Sequence, residues 1–214
     1  MRLVLPRLYV ILDAALTTSP ERDCAAGLAE AGVRLLQYRN KSAPARQYLD
    51  SSLQLAKILL PQGVSFFVND RPDVAFLAGA SGVHVGQDDL DVEQARRVAG
   101  SEKLVGISTH NLEQFERGAA STADYIAVGP IFGTSSKANP DPVVGLDFLR
   151  KARNLTEKPI VAIGGITLVR AASVIEAGAD SVAVISGILG APDPAQRARQ
   201  YIATLETAKR AAAV

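Results

Sequence analysis

Apolar residues along this chain fall into eight short runs, RLYVIL, VRLLQY, VSFFV, GVHV, KLVGI, DYIAV, PIVAI and DSVAVI, each flanked by polar or turn residues. The runs are continuous rather than alternating, the pattern of parallel strands covered on both faces. Between them lie segments of helical composition with recognisable ends. Ser19 and Pro20 ahead of ERDCAAGLAEAG predict an N-cap and a first-turn proline, and that helix stops at Gly32. DVEQARRVAG, NLEQFERGAA, GLDFLRKAR, TLVRAASVIEAGA and the C-terminal DPAQRARQYIATLETAKRAAA read the same way.

Four helix-to-strand junctions resemble one another: AEAGVRLLQ, LAGASGVHV, GAASTADYIAV and EAGADSVAV. They precede the second, fourth, sixth and eighth runs, which implies a repeating unit of two strands, roughly 40 to 60 residues long. Such a repeat favours a closed barrel over an open sheet. The expected architecture is a (β/α)8 TIM barrel, with residues 1–214 forming a single catalytic domain. A flavodoxin-like or Rossmann sheet is the alternative, and no GxGxxG follows the first strand to support it.

Composition narrows the class of partner. Twenty-three Lys and Arg against 22 Asp and Glu give a net charge of +1, so the charge balance suggests neither nucleic acid nor an acidic membrane surface. Cys24 is the sole cysteine, which excludes an internal disulfide and a cysteine metal cluster. Pro6, Arg7 and Asp13 interrupt the apolar opening MRLVLPRLYVILD, and no stretch approaches transmembrane length without a charge or turn residue. A soluble, cytoplasmic protein is expected, in which any charged ligand is met locally; oligomeric state is not readable.

In a barrel, side chains after the C-terminal ends of the strands converge on one mouth. Unusual residues gather there: Gln37, Arg39 and Lys41 after the second strand, Asn69, Asp70 and Arg71 after the third, Gln87, Asp88 and Asp89 after the fourth. Ser108 and His110 follow the fifth, GPIFGTSSK the sixth, Gly164 and Gly165 the seventh, Ser186 and Gly187 the eighth. Asp70 and Asp89 end adjacent strands and could share one hard cation, with Mg²⁺ favoured because no cysteine or histidine partner suggests zinc. The plainer alternative has Asp70 capping a helix that begins at Pro72, and Asp88 with Asp89 opening a loop ahead of Val92.

Arg39, Lys41 and Lys137 could each be solvated surface cations. If two aspartates neutralise one Mg²⁺, however, three positive charges remain, which suits a pyrophosphate and its release. IGGI at 163–166 and VISGI at 184–188 suggest a second anion site after strands seven and eight. His84 reads as a core histidine and His110 as part of the turn before a helix capped by Asn111. NPDP at 139–142 is expected in a loop over the mouth.

Taken in order and spacing, QYRNK, VNDR, HVGQDDL, GIST, GPIFGTSSK, AIGGI and VISGI resemble the thiamine phosphate synthase family over nearly the whole chain. The resemblance implies a TIM barrel that joins a hydroxymethylpyrimidine diphosphate to a thiazole phosphate with Mg²⁺, releasing pyrophosphate by a dissociative route. It implies Asp70 and Asp89 as metal ligands. For the pyrimidine diphosphate it implies the QYRNK stretch (Gln37, Tyr38, Arg39, Asn40 and Lys41) with Asn69, Ser108 and Lys137. Of these, Arg39, Lys41, Lys137 and Ser108 would be catalytic. Thr134, Ser135, Ser136, Gly165, Ile185 and Ser186 match positions that hold the thiazole phosphate. Gly133 replaces a proline frequent in the family and Ser136 a threonine, which should loosen that loop without removing its hydroxyl. A thiazole tautomerase using His110 would have no use for the carboxylates and cations; a non-catalytic barrel that senses thiamine precursors is the other alternative, for which the full set would be surplus.

Overall fold

A computed structural model describes residues 3–134 and 141–208 of the chain. Eight parallel strands close into a barrel in sequence order: β1 Leu8–Asp13, β2 Leu35–Arg39, β3 Ser65–Asn69, β4 Gly82–Val85, β5 Leu104–Thr109, β6 Tyr125–Val128, β7 Ile160–Ile163 and β8 Ser181–Val184. The last strand pairs with the first through Leu8↔Val182 to Val10↔Val184, so no edge is left open. All eight apolar runs are strands, and the TIM-barrel expectation holds.

The helices α1 Glu21–Glu30, α2 Ala45–Leu59, α3 Pro72–Leu77, α4 Val92–Ala99, α5 Leu112–Ala120, α6 Gly145–Leu155, α7 Leu168–Glu176, α8 Ser186–Leu189 and α9 Pro194–Thr207 surround it. The short α8 follows β8 and had no counterpart among the helical segments read from sequence. Ser19 is not the cap of α1: Pro20 occupies that position, and no side chain bonds the first turn. Asn111 does cap α5, accepting from the Gln114 amide. Residues 209–213 of the expected C-terminal helix lie outside the described residues.

The junction repeat has a physical cause at the barrel floor. Gly32, Gly79 and Gly178 end α1, α3 and α7 at φ 99°, 67° and 115°, a region where a Cβ is unfavourable. The residue just before each of three even strands then reaches back to the start of the preceding strand. Ser81 Oγ accepts from the Phe66 amide, Asp124 Oδ2 from Val105 and Asp180 Oδ2 from Ile160, at 3.1, 2.7 and 2.9 Å. Arg96 and Arg153 bind those two aspartates at 2.7 and 2.8 Å. The floor is thus stitched by structural ion pairs, and the mouth at the other end is left for chemistry.

Strand alternation sorts side chains between two cores. Leu36, Phe66, Val68, Val83, Val105 and Ile126 face the helices, whereas Tyr9, Leu35, Phe67, Tyr125 and Val161 fill the barrel interior. Tyr9, Phe67 and Tyr125 pack edge to face with ring centroids 5.7–6.1 Å apart. Gly82 and Gly106 make room for them: a Cβ at Gly82 would lie 2.6 Å from the Phe67 ring, and one at Gly106 would overlap the Tyr125 ring.

Candidate active site

Above these rings opens a cavity of about 600 Å³ at the C-terminal end of the strands. Its wall includes Gln37, Arg39, Lys41, Asn69, Asp70, Asp89, Ser108, Thr134, Gly165, Ile185 and Ser186. Eleven of the positions singled out from sequence therefore surround one space. Ser135, Ser136 and Lys137 lie outside the described residues, as do Asn139 and Pro140 of NPDP, while Asp141 lines the cavity.

Tyr38 and Asn40 stand apart from the other positions of the motif, because their side chains do not face the cavity. Gln37 and Arg39 point inward, so Tyr38 between them must point outward. It is fully buried against α2, its ring centroid 5.1 Å from that of Tyr48, and its hydroxyl donates to Glu21 Oε2 at 2.8 Å. Asn40 folds a turn, with Oδ1 accepting from the amides of Ser42 at 3.3 Å and Ala43 at 3.1 Å. The contiguous motif QYRNK thus splits into cavity and scaffold. Tyr48 braces the same corner by donating to the carbonyls of Tyr38 and Asn69, each at 3.0 Å.

The count of three uncompensated cations also changes. Arg39 is ion-paired with Asp13, which faces it in register at the ends of β2 and β1. Asp13 is 2 % exposed and also accepts from the Ala15 amide at 3.0 Å, so the carboxylate that holds Arg39 is itself fixed. Its role was missed because Asp13 stood out in the sequence only as a break in an apolar run. Lys41 lies 2.8 Å from Asp70 Oδ2. Arg170 of α7, also missed, lines the cavity with its guanidinium 4.7 Å above the Phe132 ring and 3.4 Å from the Gly165 carbonyl. Of the cavity-lining arginines and lysines described, it is the one without a carboxylate partner.

Neither carboxylate acts as a helix cap. Arg71 occupies the N-cap of α3 without a side-chain cap bond, and Asp91, in a capping box with Gln94, caps α4. Asp70 instead adopts φ 62°, the one described non-glycine residue at positive φ, with its amide donating to the His84 carbonyl at 2.8 Å. Asp89 accepts from the Gly86 amide at 2.8 Å. Desolvation and the neighbouring Asp70 raise the Asp89 carboxyl above its usual value, while the Gly86 amide and Lys41 oppose that shift. Two carboxylates held together at such a cost are suited to a shared cation. Among the described residues no group of three or more Asp, Glu, His or Cys gathers, so a metal here would need ligands from a substrate or water.

His84 is a core histidine, as its sequence position suggested. Burial lowers its pKa from 6.5 to about 4, so the imidazole is neutral near pH 7. Its Nδ1 is 2.9 Å from the Tyr125 hydroxyl and its Nε2 2.8 Å from Ser108 Oγ. Burial likewise raises the phenols of Tyr9 and Tyr125 far above their usual range. His110 takes a different position, with Nδ1 2.6 Å from the Gly129 carbonyl and Nε2 3.6 Å from Asp141 Oδ2.

Across the cavity, Gly164 and Gly165 follow β7 at φ 98° and 63°. A Cβ at Gly165 would meet the Phe132 and Gly133 backbone, so only glycine allows the loops after β6 and β7 to lie this close.

Comparison with known proteins shows the family. Residues 8–188 match the family model described as thiamine monophosphate synthase. A thiamine-phosphate synthase of Koribacter versatilis is 53 % identical, with 96 % of this chain and 98 % of that protein covered. One from Chloroflexus aurantiacus is 43 % identical over 96 % of this chain and 95 % of that protein. The thiamine phosphate pyrophosphorylase of Pyrococcus furiosus superposes with a TM-score of 0.86 at 33 % identity, covering 94 % of this chain and 96 % of that one. Among the described residues no helix is long and apolar enough to cross a membrane.

Proposed function

Because the chain belongs to the thiamine monophosphate synthase family, a family of transferases, we propose that its mouth joins 4-amino-2-methyl-5-hydroxymethylpyrimidine diphosphate to 4-methyl-5-(2-hydroxyethyl)thiazole phosphate. The products are thiamine phosphate and pyrophosphate. One observation carries the assignment of subsites: Arg39, Lys41, Asp70 and Asp89 follow β2 to β4 on one side of a single cavity, and Gly164, Gly165, Ser186 and Gly187 follow β7 and β8 on the other, beside Arg170. The charged side suits a diphosphate and the glycine-rich side a phosphate monoester.

Asp70 and Asp89 would hold Mg²⁺, which supplies charge neutralisation to the diphosphate oxygens. Arg39, fixed by Asp13, offers guanidinium donors to the diphosphate, and Lys41 turns to it from Asp70. Asn69 lines the same side, and the resemblance adds Lys137 as a further diphosphate contact. The bond between the pyrimidine methylene and the bridging oxygen breaks, and its electron pair leaves with pyrophosphate. The resulting methylene cation is delocalised over the aminopyrimidine, lying against Gln37 and Ser108. The thiazole nitrogen, positioned by its phosphate against Thr134, Ser135, Ser136, Gly165, Ile185 and Ser186, then donates its lone pair to that carbon. No proton is abstracted in forming the C–N bond, which agrees with a site whose buried histidine is a poor base.

The test supplies both phosphorylated precursors with Mg²⁺ and follows thiamine phosphate and pyrophosphate, with a chelator arm for metal dependence. Stoichiometric products that vanish with the chelator are expected. Absence of both products together with metal-independent isomerisation of the thiazole phosphate would overturn the synthase in favour of a tautomerase.

A further inference from the structure

Beneath the mouth runs a hydrogen-bonded chain whose interior members, Tyr9, Tyr125 and His84, the proposed steps leave unused. Gln37 Nε2 donates to the Tyr9 hydroxyl at 3.0 Å, and the hydroxyls of Tyr9 and Tyr125 are 3.0 Å apart. The chain continues from Tyr125 to His84 Nδ1 and from His84 Nε2 to Ser108 Oγ. Tyr9 and Tyr125 are at most 1 % exposed, whereas Gln37 and Ser108, the two ends, line the cavity.

Proton bookkeeping gives this chain a direction. Tyr9 already accepts from Gln37, so its own proton has one acceptor among the described residues, the Tyr125 oxygen. Tyr125 must then donate to His84 Nδ1, and the neutral imidazole carries its proton on Nε2 and donates to Ser108 Oγ. The reverse order would leave the buried Tyr9 proton facing only an N–H donor, an unmatched group of the kind that folded proteins avoid. With the Gln37 amide nitrogen facing Tyr9, the outcome at the mouth follows. The Ser108 proton is free to donate upward, while Gln37 Oε1, with no hydrogen bond among the described residues, is left as an acceptor.

We propose that Tyr9, Tyr125 and His84 are positioning residues that set this acceptor and donor pair, and that the pair selects a 4-aminopyrimidine over its 4-oxo analogue. The amino edge offers an N–H donor beside a ring-nitrogen acceptor, complementary to Gln37 Oε1 and Ser108 Oγ–H. The 4-oxo edge offers an acceptor beside a ring N–H, so both contacts would be mismatched. The proposal rests on the pyrimidine diphosphate reading above.

The experiment compares kcat/KM for the 4-amino and 4-oxo pyrimidine diphosphates in the wild type, Tyr125→Phe and Tyr9→Phe. A ratio on the order of 10³ or more is expected for the wild type, from two mismatched buried hydrogen bonds. Each Phe variant keeps the ring packing but breaks the relay, and should lower that ratio about tenfold. KM for the thiazole phosphate should stay constant. An unchanged ratio, with both substrates slowed equally, would reduce the tyrosines to packing and overturn the proposal. Nitrogen NMR of the imidazoles provides a second arm that needs no turnover. The chain has two histidines, so the His110→Gln variant assigns the spectrum. A proton on His84 Nε2 supports the relay, and one on Nδ1 overturns it. If the wild type forms no product, the reading of function fails, and the NMR arm still decides the order of the relay.

Discussion

Asp70→Asn tests the proposed metal site with little structural disturbance. Asparagine tolerates the left-handed conformation at φ 62°, so the backbone that aims the side chain is kept. The variant loses the ion pair with Lys41 at 2.8 Å, but Lys41 is 57 % exposed, so that pair contributes at most about 1 kcal/mol. Relief of repulsion on Asp89 opposes even that loss. Unfolding stability should therefore change by less than about 1 kcal/mol, a melting shift of roughly 2–4 °C at this chain length. Turnover is expected to respond on another scale. Removing one of two carboxylates that would hold the cation against the leaving group should lower kcat by about 10²–10³, or roughly 3–4 kcal/mol of transition-state stabilisation. Pyrophosphate release measured over a Mg²⁺ titration reads both effects. A kcat/KM within about threefold of the wild type, with the same Mg²⁺ half-saturation, would remove Asp70 from the metal site.

Three further outcomes are expected. His84 has a folded pKa depressed from 6.5 to about 4, so the stability it contributes is present above pH 6.5 and lost as pH falls towards 4, by about 3 kcal/mol. Urea unfolding at both ends of that window should show this loss in the wild type and not in His84→Gln; equal slopes would refute it. Arg170→Ala should raise KM for the thiazole phosphate about tenfold and leave KM for the pyrimidine diphosphate unchanged, because the guanidinium stands beside Gly165. An equal rise in both constants would place Arg170 elsewhere. Gly165→Ala forces a Cβ into the Phe132–Gly133 backbone at φ 63° and should cost on the order of 1–3 kcal/mol, read by thermal melting, with weaker thiazole phosphate binding. An unaltered melting temperature would show that the loop after β6 yields freely.

The barrel was legible because its strands are buried on both faces, which makes each a short unbroken apolar run. The mouth was legible because such runs end abruptly in Asn, Asp, Gln and Arg. What single-sequence reading could not supply was partnership across strands. Asp13 acquires meaning only from its register with Arg39, and His84 only from Tyr125 and Ser108, which lie two strands and one strand away. The difference at Tyr38 and Asn40 is of another kind. Strand alternation alone would have turned Tyr38 outward, but the contiguous motif QYRNK was taken as a unit. At Ser19 a favourable cap residue lost to its neighbour, since Pro20 already provides the extended backbone that starts α1.

The two described cations beside the carboxylates differ in how firmly they are held, and that difference bears on how a diphosphate could be both bound and released. Arg39 faces an aspartate whose side chain is 3 % exposed, so separating the pair would strand a buried charge. It is a fixed donor, available to a ligand only through the guanidinium edges that Asp13 leaves open. Lys41 is mostly solvated, and leaving Asp70 requires little desolvation. On the proposed reading it would exchange Asp70 for a phosphate oxygen and return when pyrophosphate departs. A site made only of fixed cations would hold its product as tightly as its transition state, which would lower turnover. One anchored and one exchangeable cation, two residues apart at the end of β2, avoid this, and the distinction follows from burial at Asp13 against exposure at Lys41.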